Sequence, residues 1–340
     1  MTDTTPNEPT TIIDRDADPS GVRPGVEEDL VAMTEPAAMS ADAAAPRVAQ
    51  ESVGKRTWRA FRTAPLTAWF GMIVIAIYII VAVFAPVFAP FGEREIVGAQ
   101  FEEPSAQYLL GTDNLGRDML SRLVYAARNT VGIAVLTTII AFLLGGFLGM
   151  IAATFGGWID QILSRICDVL MSIPSLIFAL LALTVANTWI GRMDNPSPWL
   201  YTAALILIMA VLDSTRVFRL TRAVAMNIVV MDYVEAARLR GEGLFYIVRK
   251  EILPNATAPL IAEFGLRFCF VFLLISALSF LGLGVQPPTA DWGSMVRDNA
   301  TLISFGVAVP LYPAGAIALL TVAVNFVVDW MLHRSSGLKE

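Results

Sequence analysis

Between Leu66 and about Pro86 the chain runs apolar without a single charged side chain. Roughly 20 helical residues of this kind span the ~30 Å hydrocarbon core of a bilayer. Comparable runs follow at about Thr130 to Ala153, Val169 to Trp189, Trp199 to Leu212, Ala262 to Gly284 and Pro310 to Leu332. The expectation is an all-α membrane protein with about six transmembrane helices.

Composition agrees once it is resolved along the chain. Charged residues make up 16% of the 340 and hydrophobic ones 56%, against roughly a quarter charged in a soluble domain. The net charge of −6 comes from one end, because residues 1–54 hold eleven acids and three bases. That stretch is rich in Pro, Ala, Thr, Asp and Glu, lacks a sustained apolar period, and reads as a disordered acidic cytoplasmic tail. It lacks the basic start and short apolar core of a signal peptide. The remaining residues, 55–340, form the membrane domain and are close to neutral, so nothing points to nucleic acid.

Orientation follows Lys and Arg. Lys55, Arg56, Arg59 and Arg62 precede the first run, where Thr63 is the expected N-cap and Pro65 falls in the first turn. The densest basic stretch, Arg216 through Lys250, follows the fourth run, within an expected cytoplasmic loop of about 213–261. The segment 91–129 then lies outside, although it carries Arg94, Arg117, Arg122 and Arg128. Further external segments are Gly191 to Pro198 and Val285 to about Val309, and both termini are cytoplasmic.

Within the spans, Gly145 and Gly149 form a small-xxx-small pair that permits close helix approach. Gly156 and Gly157 end that helix, Trp158 to Asp168 is short and mixed, and Pro174 interrupts the third run. Cys167 and Cys269 lack a CxxC or Cys/His partner and read as small buried hydrophobes. A lone His333 makes neither a metal site nor a triad, so no catalytic or metal-binding residue is assigned.

The loop before the fifth run carries the most information. Tyr233 to Arg240 suits a helix, with Ala236 and Ala237 offering a small surface to a partner. Gly241 permits a turn with φ above zero. A second amphipathic stretch, Leu244 to Ile252, ends at Leu253 and Pro254, where the proline is expected to break the pattern. Taken alone this is a helix–turn–helix on the cytoplasmic face, and the plainer reading is a helix resting on lipid headgroups.

Glu235-Ala236-Ala237, then Gly241, then Leu253-Pro254 resembles the EAA loop of ABC-importer permeases. In that family the loop is the coupling helix that docks on the ATPase subunit. Glu251 departs from the family, which more often has His or a hydrophobe there. Leu110-Gly111-Thr112-Asp113-Asn114-Leu115-Gly116-Arg117-Asp118, followed by Ser121-Arg122, resembles the external segment of the C-type subunit of dipeptide, oligopeptide and nickel permeases. From the residues alone it is a Gly-punctuated turn in which Asp113, Arg117 and Asp118 cross-link locally, ahead of a short amphipathic helix from Met119 to Arg128. Ser279 to Pro288, with Asp291-Trp292-Gly293, resembles the same family, so the likeness covers about residues 55 to 332.

That likeness implies a type I importer fold and a function as half of a path for peptides or related small solutes. It also implies partners: a B-type permease as heterodimer, two ATPase subunits and an extracytoplasmic solute-binding protein. ATP and Mg belong to the ATPase, since no Gly-x-x-x-x-Gly-Lys-Ser/Thr occurs in this chain. The implied location is the inner membrane of a bacterium. Asp168, Asp213, Arg267 and Asp329 lie near expected inner ends, where local pairs such as Asp213 with Arg216 and Glu263 with Arg267 account for them. A secondary transporter or channel working alone would instead call for inverted repeats or charges near the midplane. A scaffold without transport calls for no loop motif.

Overall fold

The computed structural model describes residues 63–335. The acidic stretch, Lys55 to Arg62 and Lys339 lie outside them. Helix α1, Leu66–Val83, is the first apolar run. Pro65 rather than Thr63 takes its N-cap position, in extended backbone, and its carbonyl accepts from Trp69 N at 3.1 Å. A proline lacks only the N–H that this position leaves outside the helix anyway. The four-residue α2, Ala85–Phe88, carries Pro86 in its first turn and closes the run.

Helix α3, Met119–Phe155, is continuous over 37 residues, about 55 Å at ~1.5 Å per residue. The expected separate amphipathic helix from Met119 to Arg128 is therefore the start of the second span. No Pro or Gly intervenes between them, and the Asn129 side chain bonds outward to Glu93 Oε1 and the Ala290 carbonyl, both at 2.9 Å.

The third run is not one straight span. Helices α4, Gly157–Ser172, and α5, Ser175–Ile190, meet at 91°. The cause is local: Ile173 is extended (φ −91°, ψ 132°), as steric clash with a following proline ring demands. The stretch read as short and mixed is thus most of α4, which is amphipathic. Asp160, Ser164 and buried Cys167 face the protein, while Trp158, Ile162, Ile166 and Val169 are exposed.

Helix α6 spans Trp199–Val229 and passes well beyond the expected end at Leu212. It lies along α3. A Cβ on Gly145 would strike the Ser214 carbonyl and Val217, and one on Gly149 would sit 2.8 Å from the Phe218 carbonyl. The expected close approach through these glycines is what the helices use, and the rising pairs make α3 and α6 run in the same direction. After α7, Asp232–Leu239, the chain enters α8, Leu253–Phe280, without a break at Pro254. Its missing N–H is harmless in a first turn, so the fifth helix starts well before the expected Ala262.

A short helix α9, Trp292–Asn299, precedes the last, α10, Leu311–Ser335. Antiparallel α1 and α10 meet through Phe70 and Phe326, with ring centroids 6.2 Å apart, and through Tyr78 Oη, which donates to the Ala316 carbonyl at 2.9 Å. Trp292 is 2% exposed and packs edge-on against both Tyr78 and Phe272, at 5.6 and 6.1 Å between centroids. Burying an aromatic of this size removes 150–250 Å² from water, roughly, which ties the segment after α8 into the core. Both cysteines are buried and free.

Four described helical stretches are long and apolar enough to cross a membrane: Leu66–Val83, Met119–Phe155, Leu244–Phe280 and Leu311–Arg334. Counting α4 and α5 as one bent span makes five. Helix α6 is not among them, and it carries Asp213, Arg216, Arg219 and Arg222.

Candidate functional site

The loop between α6 and α8 folds over its own small core. Val234 and Ala237 on α7 point inward onto Ala225, Ile228, Ile247, Ile252 and Ala256. Gly241 has φ +78°, where a side chain is strained, and the Gly241 N–H donates to the Arg238 carbonyl at 2.9 Å. The chain reverses there, and Ile247–Ile252 winds as a π-helix into α8. Wide turns of this kind re-aim side chains, here keeping Ile247 and Ile252 inside.

Ala236 and Ala237 do not share one surface. Ala237 is fully buried, whereas Ala236 is exposed with Glu235 and Arg238. The successive positions lie about 100° apart around a helix, and here that step turns Ala237 inward while Ala236 stays outside. Outside, a groove is lined by Val229, Val230, Glu235, Arg238 and Leu239. Leu239 is 83% exposed and Phe245 78%. Leu253 and Pro254 sit in the first turn of α8, and both are exposed.

At the opposite end of α3 the Gly111–Asp118 motif is spent on itself. Gly111 and Gly116 both have positive φ, and a Cβ on either would strike a backbone carbonyl, of Glu102 and Gly98 respectively. Thr112 Oγ1 donates to the Ala99 carbonyl at 2.6 Å and accepts from Glu102 N at 2.8 Å. Asp113 accepts from the backbone of Leu115 and Arg117 and pairs with the Arg117 guanidinium at 2.8 Å. Arg122, one helical turn into α3, approaches the same carboxylate at 3.3 Å. Asp118 takes a role the sequence did not suggest. It caps α3, accepting from Ser121 N and Oγ at 2.7 Å, instead of joining Arg117. Thr112, Asp113, Arg117 and Asp118 are all buried.

Asp291, likewise at the motif end, caps α9 through Ser294 N at 2.9 Å. Burial pushes its carboxyl above the usual range, opposed by the bonds from Ser294 and Thr130. Among the described residues, no three His, Cys, Asp or Glu side chains gather as metal ligands do.

The two expected pairs within helices are present, Asp213 with Arg216 at 3.7 Å and Glu263 with Arg267 at 2.8 Å. Two contacts between helices were not legible in the sequence. Arg267 also reaches Asp213, at 3.7 Å, and Arg222 makes a two-pronged ion pair with Asp160 on α4. Asp213 and Arg267 are also not at helix ends, because α6 and α8 both extend further than the apolar runs.

Residues 145–336 match the family of binding-protein-dependent transport system inner membrane components. The chain belongs to that family. Residues 52–105 match, in addition, the N-terminal transmembrane domain of oligopeptide transport permease C. The dipeptide transport system permease protein of Escherichia coli is 36% identical over 266 residues, covering 76% of this chain and 85% of that protein. A di/tripeptide permease protein of Pseudomonas aeruginosa is 32% identical over 85% of this chain and 94% of its own length. A glutathione permease protein of Pectobacterium atrosepticum is 27% identical over 80% and 87%. As an inner membrane component of this family, the chain is a multi-pass permease subunit of an ABC importer. It is no enzyme, since ATP hydrolysis resides in separate subunits.

Proposed function

We propose that this chain forms half of a peptide translocation path and receives the power stroke of its ATPase through residues 233–254. The observation carrying this reading is the two-sided construction of that loop. Val234, Ala237, Ile247 and Ile252 lock it to the ends of α6 and α8, while Leu239, Phe245 and the Glu235–Arg238 groove are left uncovered. A lever needs both, a rigid attachment and an open docking face. ATP shifts the transporter between states only if the ATPase engages this face differently in each.

The names of the relatives support short peptides as cargo. On this reading the loop is cytoplasmic and the 111–118 motif external. A B-type permease completes the path, two ATPase subunits drive it, and an extracytoplasmic binding protein delivers the peptide. Gly111, Thr112, Asp113, Gly116, Arg117 and Asp118 brace the external mouth, since their polar groups are turned on one another. ATP and Mg act in the ATPase partner.

The test is copurification and uptake. The chain expressed with its partner permease should retain two ATPase subunits, and the complex with its binding protein should import a labelled dipeptide. Retention of the ATPases by a chain lacking residues 232–252 would overturn the assignment of the loop.

A further inference from the structure

Four charged side chains meet between α6 and α8, deep in the bundle. Arg267 lies about 20 Å from the Phe280 end of α8, and Asp213 about as far from the Trp199 end of α6, at ~1.5 Å per residue. Both therefore sit near the middle of their helices. Charge within a membrane protein's helices faces the bundle interior or water, not lipid.

The cluster is built yet unsaturated. The Asp213 side chain is 2% exposed, and neither of its oxygens accepts a hydrogen bond. Arg216 and Arg267 each stand 3.7 Å from Asp213 Oδ1, too far for one. Arg216 spends one N–H, from Nη2 to Ser175 Oγ at 3.0 Å. Arg267 Nε lies 2.8 Å from Glu263 Oε1, without the alignment of a hydrogen bond. Both guanidiniums lie over the Phe270 ring, 4.3 and 5.6 Å from its centroid, which holds them in place without using their donors. The Arg216 side chain is 30% exposed and that of Arg267 19%, so this chain does not seal the cluster.

Two open guanidinium forks side by side suit a carboxylate, which accepts paired N–H groups from arginine better than from lysine. Asp213 and Glu263 match the two arginines in number, two acids against two bases. A zwitterionic ligand preserves that balance, whereas a simple anion upsets it. We propose that Arg216 and Arg267 form a transit site that takes the C-terminal carboxylate of a peptide midway through the path. Asp213 is a positioning residue that holds the two forks together. This proposal rests on the reading of the chain as half of a peptide path.

Trialanine and trialanine amide are the probes. The first measurement is trialanine uptake by the complete wild-type complex with its binding protein. Absence of uptake overturns the peptide reading and the site with it. The second is equilibrium binding of each probe to the assembled complex in nanodiscs, without the binding protein. Wild type should bind the acid about tenfold more tightly than the amide, and Arg216→Gln should bring the two affinities together. The affinity ratio does not depend on the fraction of protein folded, so partial misfolding of the variant does not obscure it. Arg216→Lys, which keeps the charge and loses the fork, should fall between. Uptake together with equal wild-type binding of acid and amide would overturn the carboxylate site alone, as would a ratio unchanged in Arg216→Gln.

Discussion

Thr130 Oγ1 donates to Asp291 Oδ1 over 2.9 Å, joining residues 161 apart in the chain. The same hydroxyl accepts from Trp292 N at 3.3 Å, and the Trp292 indole donates to the Leu123 carbonyl at 3.1 Å. One small polar side chain on α3 thereby anchors the start of α9. Thr130→Val keeps the shape and removes both bonds. It should cost about 1–3 kcal/mol, the range for leaving a buried partner unsatisfied, and appear as a lower melting temperature of the purified subunit.

Asp291 itself should be less sensitive. Its carboxyl is raised by burial, so it binds a proton more readily folded than unfolded. Its stabilising contribution is then complete below the ordinary carboxylate range and is lost as pH rises through the raised value. Asp291→Asn keeps an N-cap acceptor and stays neutral. Melting across pH should be flatter for this variant than for wild type, with the difference on the alkaline side.

The contact between α3 and α6 sets up a comparison of adjacent residues. A Cβ at Gly145 meets backbone on α6, whereas one at Gly146 meets nothing within 4 Å. Gly145→Val should abolish recovery of folded protein, because overpacking against a carbonyl has no side chain to yield. Gly146→Ala should match wild type or gain up to ~1 kcal/mol from helix propensity. Size-exclusion profiles of the detergent-extracted variants distinguish them.

Topology is open to direct labelling. Leu115 is 50% exposed at the tip of the motif, while neighbouring Asp113 and Gly116 are buried. Leu115→Cys, with Cys167 and Cys269 replaced by Ala, should react with an impermeant maleimide on intact spheroplasts. Labelling only after lysis would place the 233–254 loop on the wrong side for an ATPase.

Much of this was legible from local pattern. Apolar runs marked the long apolar helices, Gly145 and Gly149 marked a close helix approach, and Gly241 marked a reversal. Several of the failures share a cause, since they concerned where a helix stops. Charged residues after Leu212 looked like a loop, yet Asp213 pairs with Arg267 on α8, Arg216 donates to Ser175 on α5 and Arg222 pairs with Asp160 on α4, and α6 continues. Pro254 looked like a terminator and is a first-turn residue. Asp113 paired with Arg117 as its i+4 spacing suggests, but the pairing of Asp213 with Arg267 is set by tertiary packing, which no spacing encodes.

The central claim, that the 233–254 loop receives the ATPase, rests on an outer face separable from the inner core. Leu239 and Phe245 are 83% and 78% exposed, so Leu239→Asp with Phe245→Asp should leave the subunit folded and bound to its permease partner. Peptide-stimulated ATP hydrolysis by the whole complex in nanodiscs, with its binding protein present, is the decisive measurement. The account expects stimulation to fall about tenfold or more in the double variant, as for lost interface anchors of roughly 1–2 kcal/mol or more, with the permease pair still assembled. Wild-type stimulation in that variant would contradict it.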